Sequence, residues 1–248
     1  MTIEFTLYLL LGAAAGGFIN GLAGFGTALF ALGFWLQIMP PVQAVSIAVV
    51  MSVFSGVQGV WLVRHSMMAQ PRRLLRFLLP ALVGAPCGVA ALAVLDPTVL
   101  KLVIAALLII YGGFFTARRN LPKFTRPTPV IDSTVGFAGG VLGGAASLSG
   151  ALPTIWCSMR PWPKAETRAT LQPYNVVVLG LTALLFALQG AYGWETLKLI
   201  AIALPSTMIA AQIGIFVFKK LTDDQFRRLI IAMMFLSGIV LLIRETLG

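Results

Sequence analysis

Acidic residues are the scarcest charged class in this chain: eight among 248 residues, against 18 lysines and arginines and one histidine. All of them (Glu4, Asp96, Asp132, Glu166, Glu195, Asp223, Asp224 and Glu245) fall at the ends of apolar runs or between them. No carboxylate is expected inside an apolar segment, where such a group would mark a cation or proton pathway. Cysteine is scarcer still. Cys87 and Cys157 lie in separate apolar segments without metal-type spacing, which reads as packing and not as redox or metal chemistry. HExxH, Walker and GxSxG patterns are absent, so no enzyme activity and no cofactor are expected. The opening MTIEF lacks a basic n-region, and no secretory processing is expected.

What the chain has in abundance is apolar length. It is 58% hydrophobic and only 10% charged, with apolar runs from Phe5 almost to the C-terminus, the pattern of an all-α polytopic membrane protein in contact with the lipid bilayer. A net charge of +10 would suggest nucleic acid in a soluble chain. Here the bases sit in short loops between apolar runs, so they read as topogenic charge and no nucleic-acid partner is expected. Six segments have the length of ordinary crossings: 42–63, 74–94, 98–117, 170–190, 196–218 and 226–243. Two others, 5–38 and 133–159, are dense in glycine and open the two halves of the chain. The first is too long for one crossing but suits two half-length helices folded back as a hairpin.

The halves look related. At an offset of 124, Gly12, Ala14, Gly16 and Gly26 fall on Gly136, Ala138, Gly140 and Gly150, and further matches follow in order at offsets of 125 and 126, to Arg118 and Arg244. The expected organisation is a first membrane repeat over 1–120, a basic cytoplasmic linker over 121–132 and a second repeat over 133–248. Eight full crossings would divide the bases almost evenly between the two sides. Two re-entrant hairpins instead place fifteen bases on one side and only Lys101, Lys198 and Arg244 on the other, which makes the basic side cytoplasmic and puts both termini outside. Each half is then one re-entrant hairpin plus three transmembrane helices, an odd number of crossings, so the repeats are inverted. Five tryptophans, at 35, 61, 156, 162 and 194, fall near segment ends and read as interfacial anchors.

Inverted repeats with broken helices are the signature of secondary transporters that bind substrate at the midplane. The tips, Asn20 to Ala28 and Ala145 to Leu152, would each expose the N-terminus of an outgoing half-helix, where unpaired N–H groups and the helix dipole favour an anion. Gly24, Gly26 and Gly150 let the backbone turn and approach a ligand, while Asn20, Thr27, Ser147 and Ser149 supply side-chain donors. The stripes Gly12-x-x-x-Gly16 and Gly136-x-x-x-Gly140-x-x-x-Gly144 read as helix-packing faces. Gln172 and Asn175 in TLQPYN suit interhelical hydrogen bonding first and substrate contact second, as do the isolated amides Gln58 and Gln212. His65 reads as solvated in a basic loop.

The stretches GLAGFGTALF and GGAASLSGALP, opening two related halves in a chain of this size, resemble the sulfite exporter TauE/SafE family over essentially the full length. Phe25, Thr27, Leu148 and Ser149 interrupt the denser glycine run that is usual there. The resemblance implies transport of sulfur oxyanions or organosulfonates, of the sulfite and sulfoacetate type, across the inner (plasma) membrane. A passive anion channel and a membrane assembly or scaffold subunit stand as alternatives, and a homo-oligomer is left open.

Overall fold

The computed structural model describes residues 2–92 and 124–247, together with 102, 106, 109 and 113; the crossing expected at 98–117 otherwise lies outside the described residues. These residues form α1 (Ile3–Ala23), α2 (Thr27–Trp35), α3 (Pro41–Ala69), α4 (Pro71–Leu92), α5 (Pro129–Ala146), α6 (Ala151–Ser158), α7 (Lys164–Leu188), α8 (Trp194–Lys220) and α9 (Asp223–Leu247), with no strand among them. An apolar surrounding enforces this, since a helix satisfies its own backbone groups where no water can. Local chemistry sets the ends: Thr2 accepts from Phe5 N–H at the start of α1, prolines open α3, α4 and α5, and Lys219 and Lys220 close α8. Five of the described helices are long and apolar enough to cross a membrane: Ile3–Ala23, Val42–Met68, Pro71–Ala91, Lys164–Leu188 and Trp194–Lys220.

Several boundaries differ from expectation. Helix α3 continues to Ala69, so Arg64 and the exposed His65 lie on its last turns and not in a loop. Helix α7 starts at Lys164, several residues before the expected 170, and carries Arg168 into the interior. The two folded-back segments are unequal in their halves, at 21 and 9 residues for α1 and α2 and 18 and 8 for α5 and α6. Each return helix ends where a tryptophan finds a partner near the start of the helix it folds back on. Trp35 Nε1 donates to Leu9 O at 3.0 Å, and Trp156 Nε1 donates to Asp132 Oδ1 at 2.7 Å. These two indoles, 0% and 8% exposed, therefore clasp the hairpins instead of anchoring an interface, because an indole N–H buried among apolar groups needs an acceptor there.

Helices α1, α3 and α8 begin at one end of the bundle, where Phe5, Gln43 and Glu195 line one cleft and Gln43 Nε2 donates to Thr196 Oγ1. Helices α4, α5, α7 and α9 begin at the other end. There Arg73 pairs with Glu166 at 2.6 Å, Lys164 N–H donates to Asp223, and Phe124 N–H donates to Met159 O. Helix α1 lies along α8, α5 along α4, and α3 runs against α7 in the centre. Both peripheral pairs are glycine ladders. A Cβ on Gly17 or Gly21 would lie 2.3 or 2.0 Å from the carbonyl oxygens of Thr207 and Ala211; on Gly140 or Gly144 it would lie 2.4 or 2.2 Å from those of Ala81 and Ala85. The ladders thus match Gly17 to Gly140 and Gly21 to Gly144, one residue away from the sequence register. Gly12 and Gly16 do pack, but against Trp35 and Thr27 of their own return helix. Gln58 and Gln212 bond each other across α3 and α8 at 2.7 Å.

Backbone contact of this kind leaves no room for a methyl group. Gly21→Ala is expected to destabilise the protein by about 1–3 kcal/mol through overpacking. Gly33→Ala, where an added Cβ meets nothing within 4 Å, should instead be neutral or stabilising by up to about 1 kcal/mol. Thermal unfolding of both variants in detergent checks this, and equal effects would contradict the ladder.

Candidate functional site

Each break in a helix is made by left-handed backbone. Gly24 (φ 85) ends α1, its N–H donating to Asn20 O at 2.8 Å, and Gly26 (φ 93) precedes α2. In the second half Ser147 (φ 58) ends α5 in a left-handed αL cap, with Ser147 N–H on Gly143 O and Leu148 N–H reaching back to Leu142 O. A serine holds this conformation at about 1–2 kcal/mol of strain, the sort of local cost that collects at functional positions. The return helices α2 and α6 start at Gly26 and Gly150, neither with a side-chain cap. Both helix starts, with the positive ends of their dipoles, border the same place, although Ala151 N–H already donates to Leu148 O at 3.2 Å.

That place is a small enclosed cavity, with Asn20, Gly26 and Thr27 from the first tip, Ser147, Ser149 and Gly150 from the second, and Ser52 and Asn175 from α3 and α7 among its walls. Phe25 and Leu179 complete it, so the lining carries no charged side chain among the described residues. A Cβ on Gly150 would lie 2.6 Å from that of Phe25, so the tips are in direct contact. The cavity holds about 10 Å³ for the centre of a water-sized sphere, about one water's worth of room. Two hydroxyls on its wall, Thr27 Oγ1 and Ser147 Oγ, are buried with no hydrogen-bond partner among the described residues. A buried orphan of this kind costs about 1–3 kcal/mol, and here each tip contributes one.

The other polar groups are engaged. Asn20 Nδ2 donates to Ser52 O at 3.1 Å and Ser55 Oγ at 2.7 Å, and its Oδ1 accepts from Gln172 Nε2 at 3.4 Å. Asn175 Nδ2 donates to Gly24 O at 2.8 Å while its Oδ1 accepts from Ser149 Oγ at 2.7 Å. Arg168, with 0% exposure, donates to Gly21 O at 2.6 Å, to Leu22 O at 3.3 Å and to Gln172 Oε1 at 3.1 Å, and lies over the Phe218 ring. Gly21 and Leu22 O at the end of α1 are thus taken by Arg168 and Gly24 O just beyond it by Asn175, both from α7.

Of the residues singled out from sequence, Asn20, Gly26, Thr27, Ser147, Ser149, Gly150 and Asn175 meet at one cavity. Gly24 braces it through its carbonyl, and Gln172 stands behind Asn20. Asn20 and Ser149, expected as donors to a ligand, already spend their protons within the protein. Arg168, one of the fifteen bases assigned to the basic side, is a buried helix residue; the spacing Arg168, Gln172, Asn175 signals this by putting three polar groups on one helix face. Asp132 lies at a segment end as expected but is buried, in an ion pair with Arg160 at 3.1 Å.

Long apolar helices, two interrupted segments meeting tip to tip and a small polar cavity at their meeting point define a multi-pass membrane protein of the transporter class. The sequence matches the family "Sulfite exporter TauE/SafE" over residues 8–241, nearly the whole chain, and the protein belongs to that family of membrane transporters. No curated protein matches the chain.

Replacing Arg168 by methionine keeps its bulk and strips two α1 carbonyls of a charged donor, which should lower stability by about 2–3 kcal/mol. Arg73→Met at the half-buried pair with Glu166 should lower it by less than about 1 kcal/mol. Denaturant unfolding of the two variants decides, and a loss at Arg168 no larger than at Arg73 would contradict the bracing role.

Proposed function

We propose that the protein is a secondary transporter of small anions, sulfur oxyanions or organosulfonates, which bind near the midplane between two re-entrant hairpin tips belonging to inverted repeats. The observation that carries this reading is the pair of orphan hydroxyls, Thr27 and Ser147, one from each tip, on the wall of one cavity beside two uncapped helix N-termini. Hydroxyl and N–H donors aimed at one point, with helix dipoles behind them, stabilise negative charge without a cation.

The opposed starts of α1 and α5 support the inversion, and Trp35 returning to Leu9 supports re-entry. Two of the fifteen bases, Arg160 and Arg168, are structural, and the thirteen others keep the bias that makes the α4, α5 and α7 end cytoplasmic and the termini external. A cavity of one water's size cannot hold a sulfonate unless the tips part. Movement of one tip against the other is what alternating access requires.

The test is ligand binding to purified protein. Sulfite or an organosulfonate should raise the melting temperature in a concentration-dependent manner, with chloride varied separately, and amines should not. Thr27→Val and Ser147→Ala should each weaken that binding roughly tenfold to a hundredfold, the value of one hydrogen bond to a charged ligand, without loss of fold. Ser66→Ala serves as control. Unchanged affinity in both tip variants would return the tips to a packing role.

A further inference from the structure

A third buried hydroxyl without a partner among the described residues is Thr154 Oγ1, 0% exposed, one turn down α6 from the tip. It lines a second small cavity, separate from the first, whose wall includes Ser158, Thr167, Lys164 and Asp223. Gly150, Thr154 and Ser158 are four residues apart and share one face of α6, which therefore borders the tip cavity with Gly150 and the second cavity with Thr154, about 6 Å along the axis. Helix α7 repeats the arrangement: Asn175 lines the first cavity and Thr167 the second, with the buried Leu171 between them on the same face.

We infer that this face of α6 is the substrate's route between the tip cavity and the basic end of the protein, with Thr154 the hydroxyl that the passing anion meets. The inference rests on the reading of the tips given above. An orphan hydroxyl in a dry apolar contact is a liability that valine would remove at equal volume; beside a route for a hydrated or hydrogen-bonding anion it is an intermittent donor. The second cavity is closed at its outer end by Lys164. Its backbone N–H donates to Asp223 at 3.0 Å, and its Nζ donates to the carbonyl oxygens of Phe218, at 3.1 Å, and Leu221 at the end of α8. One cation and one carboxylate on this wall leave the passage without net charge, so it neither traps nor repels a monoanion strongly.

The experiment combines accessibility with flux. In full-length protein carrying Cys87→Ser and Cys157→Ser, Thr154→Cys should react with a membrane-impermeant maleimide in inside-out vesicles and not in intact cells. Leu152→Cys, on the opposite side of α6, should react in neither. In proteoliposomes Thr154→Val should slow sulfite or sulfonate flux about tenfold or more, Thr154→Ser should restore it, and equilibrium affinity and melting temperature should stay near those of the wild type. Wild-type flux in Thr154→Val, a thiol at 154 that is unreactive from the basic end, or a loss of affinity like that of the tip variants would each overturn the route. If the wild-type protein carries neither anion, the reading of the tips fails, and labelling at 154 alone decides whether the passage exists.

Discussion

A helix that stops among buried apolar side chains leaves backbone groups that water cannot reach, and the rest of this structure answers that constraint. Helix α1 stops at Ala23, where Gly21 and Leu22 O are claimed by Arg168 and Gly24 O by Asn175. Helix α5 stops at Ala146 and closes on itself through Ser147 and Leu148. The two tips solve one problem differently: the first borrows a buried arginine from α7, the second accepts a strained serine. In both, carbonyls near the break find partners, Gly21, Leu22 and Gly24 O in the first and Leu142 and Gly143 O in the second, while the N-terminus of the return helix is left without a side-chain cap. The positive ends of two helix dipoles and the unpartnered Thr27 and Ser147 hydroxyls meet at this point, which favours negative charge there.

Glycine does two separate jobs around this point. At Gly24 and Gly26 it supplies backbone conformations that side chains disfavour. At Gly17, Gly21, Gly140 and Gly144 it brings α1 onto α8 and α5 onto α4 at backbone contact, so each hairpin rides on a helix from the other half of the chain. The halves are therefore interlocked.

Much of this was legible in sequence. The breaks at NGLAGFGTALF and GGAASLSGAL stood out because small and polar residues interrupted apolar runs, and they form the walls of one cavity. What stayed hidden depended on partners distant in the chain. Nothing local to Trp35 or Trp156 announces an acceptor at Leu9 or Asp132, so both read as interface anchors. Arg168 sits beside a proline-containing stretch and read as a loop base until α7 proved to start at Lys164. Composition marks Asn20, Thr27, Ser147 and Ser149 alike as donors. Only geometry separates those already engaged, Asn20 and Ser149, from those that are not.

The central claim is that the tips hold an anion between Thr27 and Ser147. Its most direct test is an experimental structure of the purified protein saturated with a bromine-bearing alkanesulfonate, the bromine located by anomalous scattering. The account predicts the sulfonate oxygens within about 3 Å of both Thr27 Oγ1 and Ser147 Oγ, with the tips parted to admit it. An ordered sulfonate bound elsewhere in the membrane region, with those two hydroxyls still unpartnered, would contradict it.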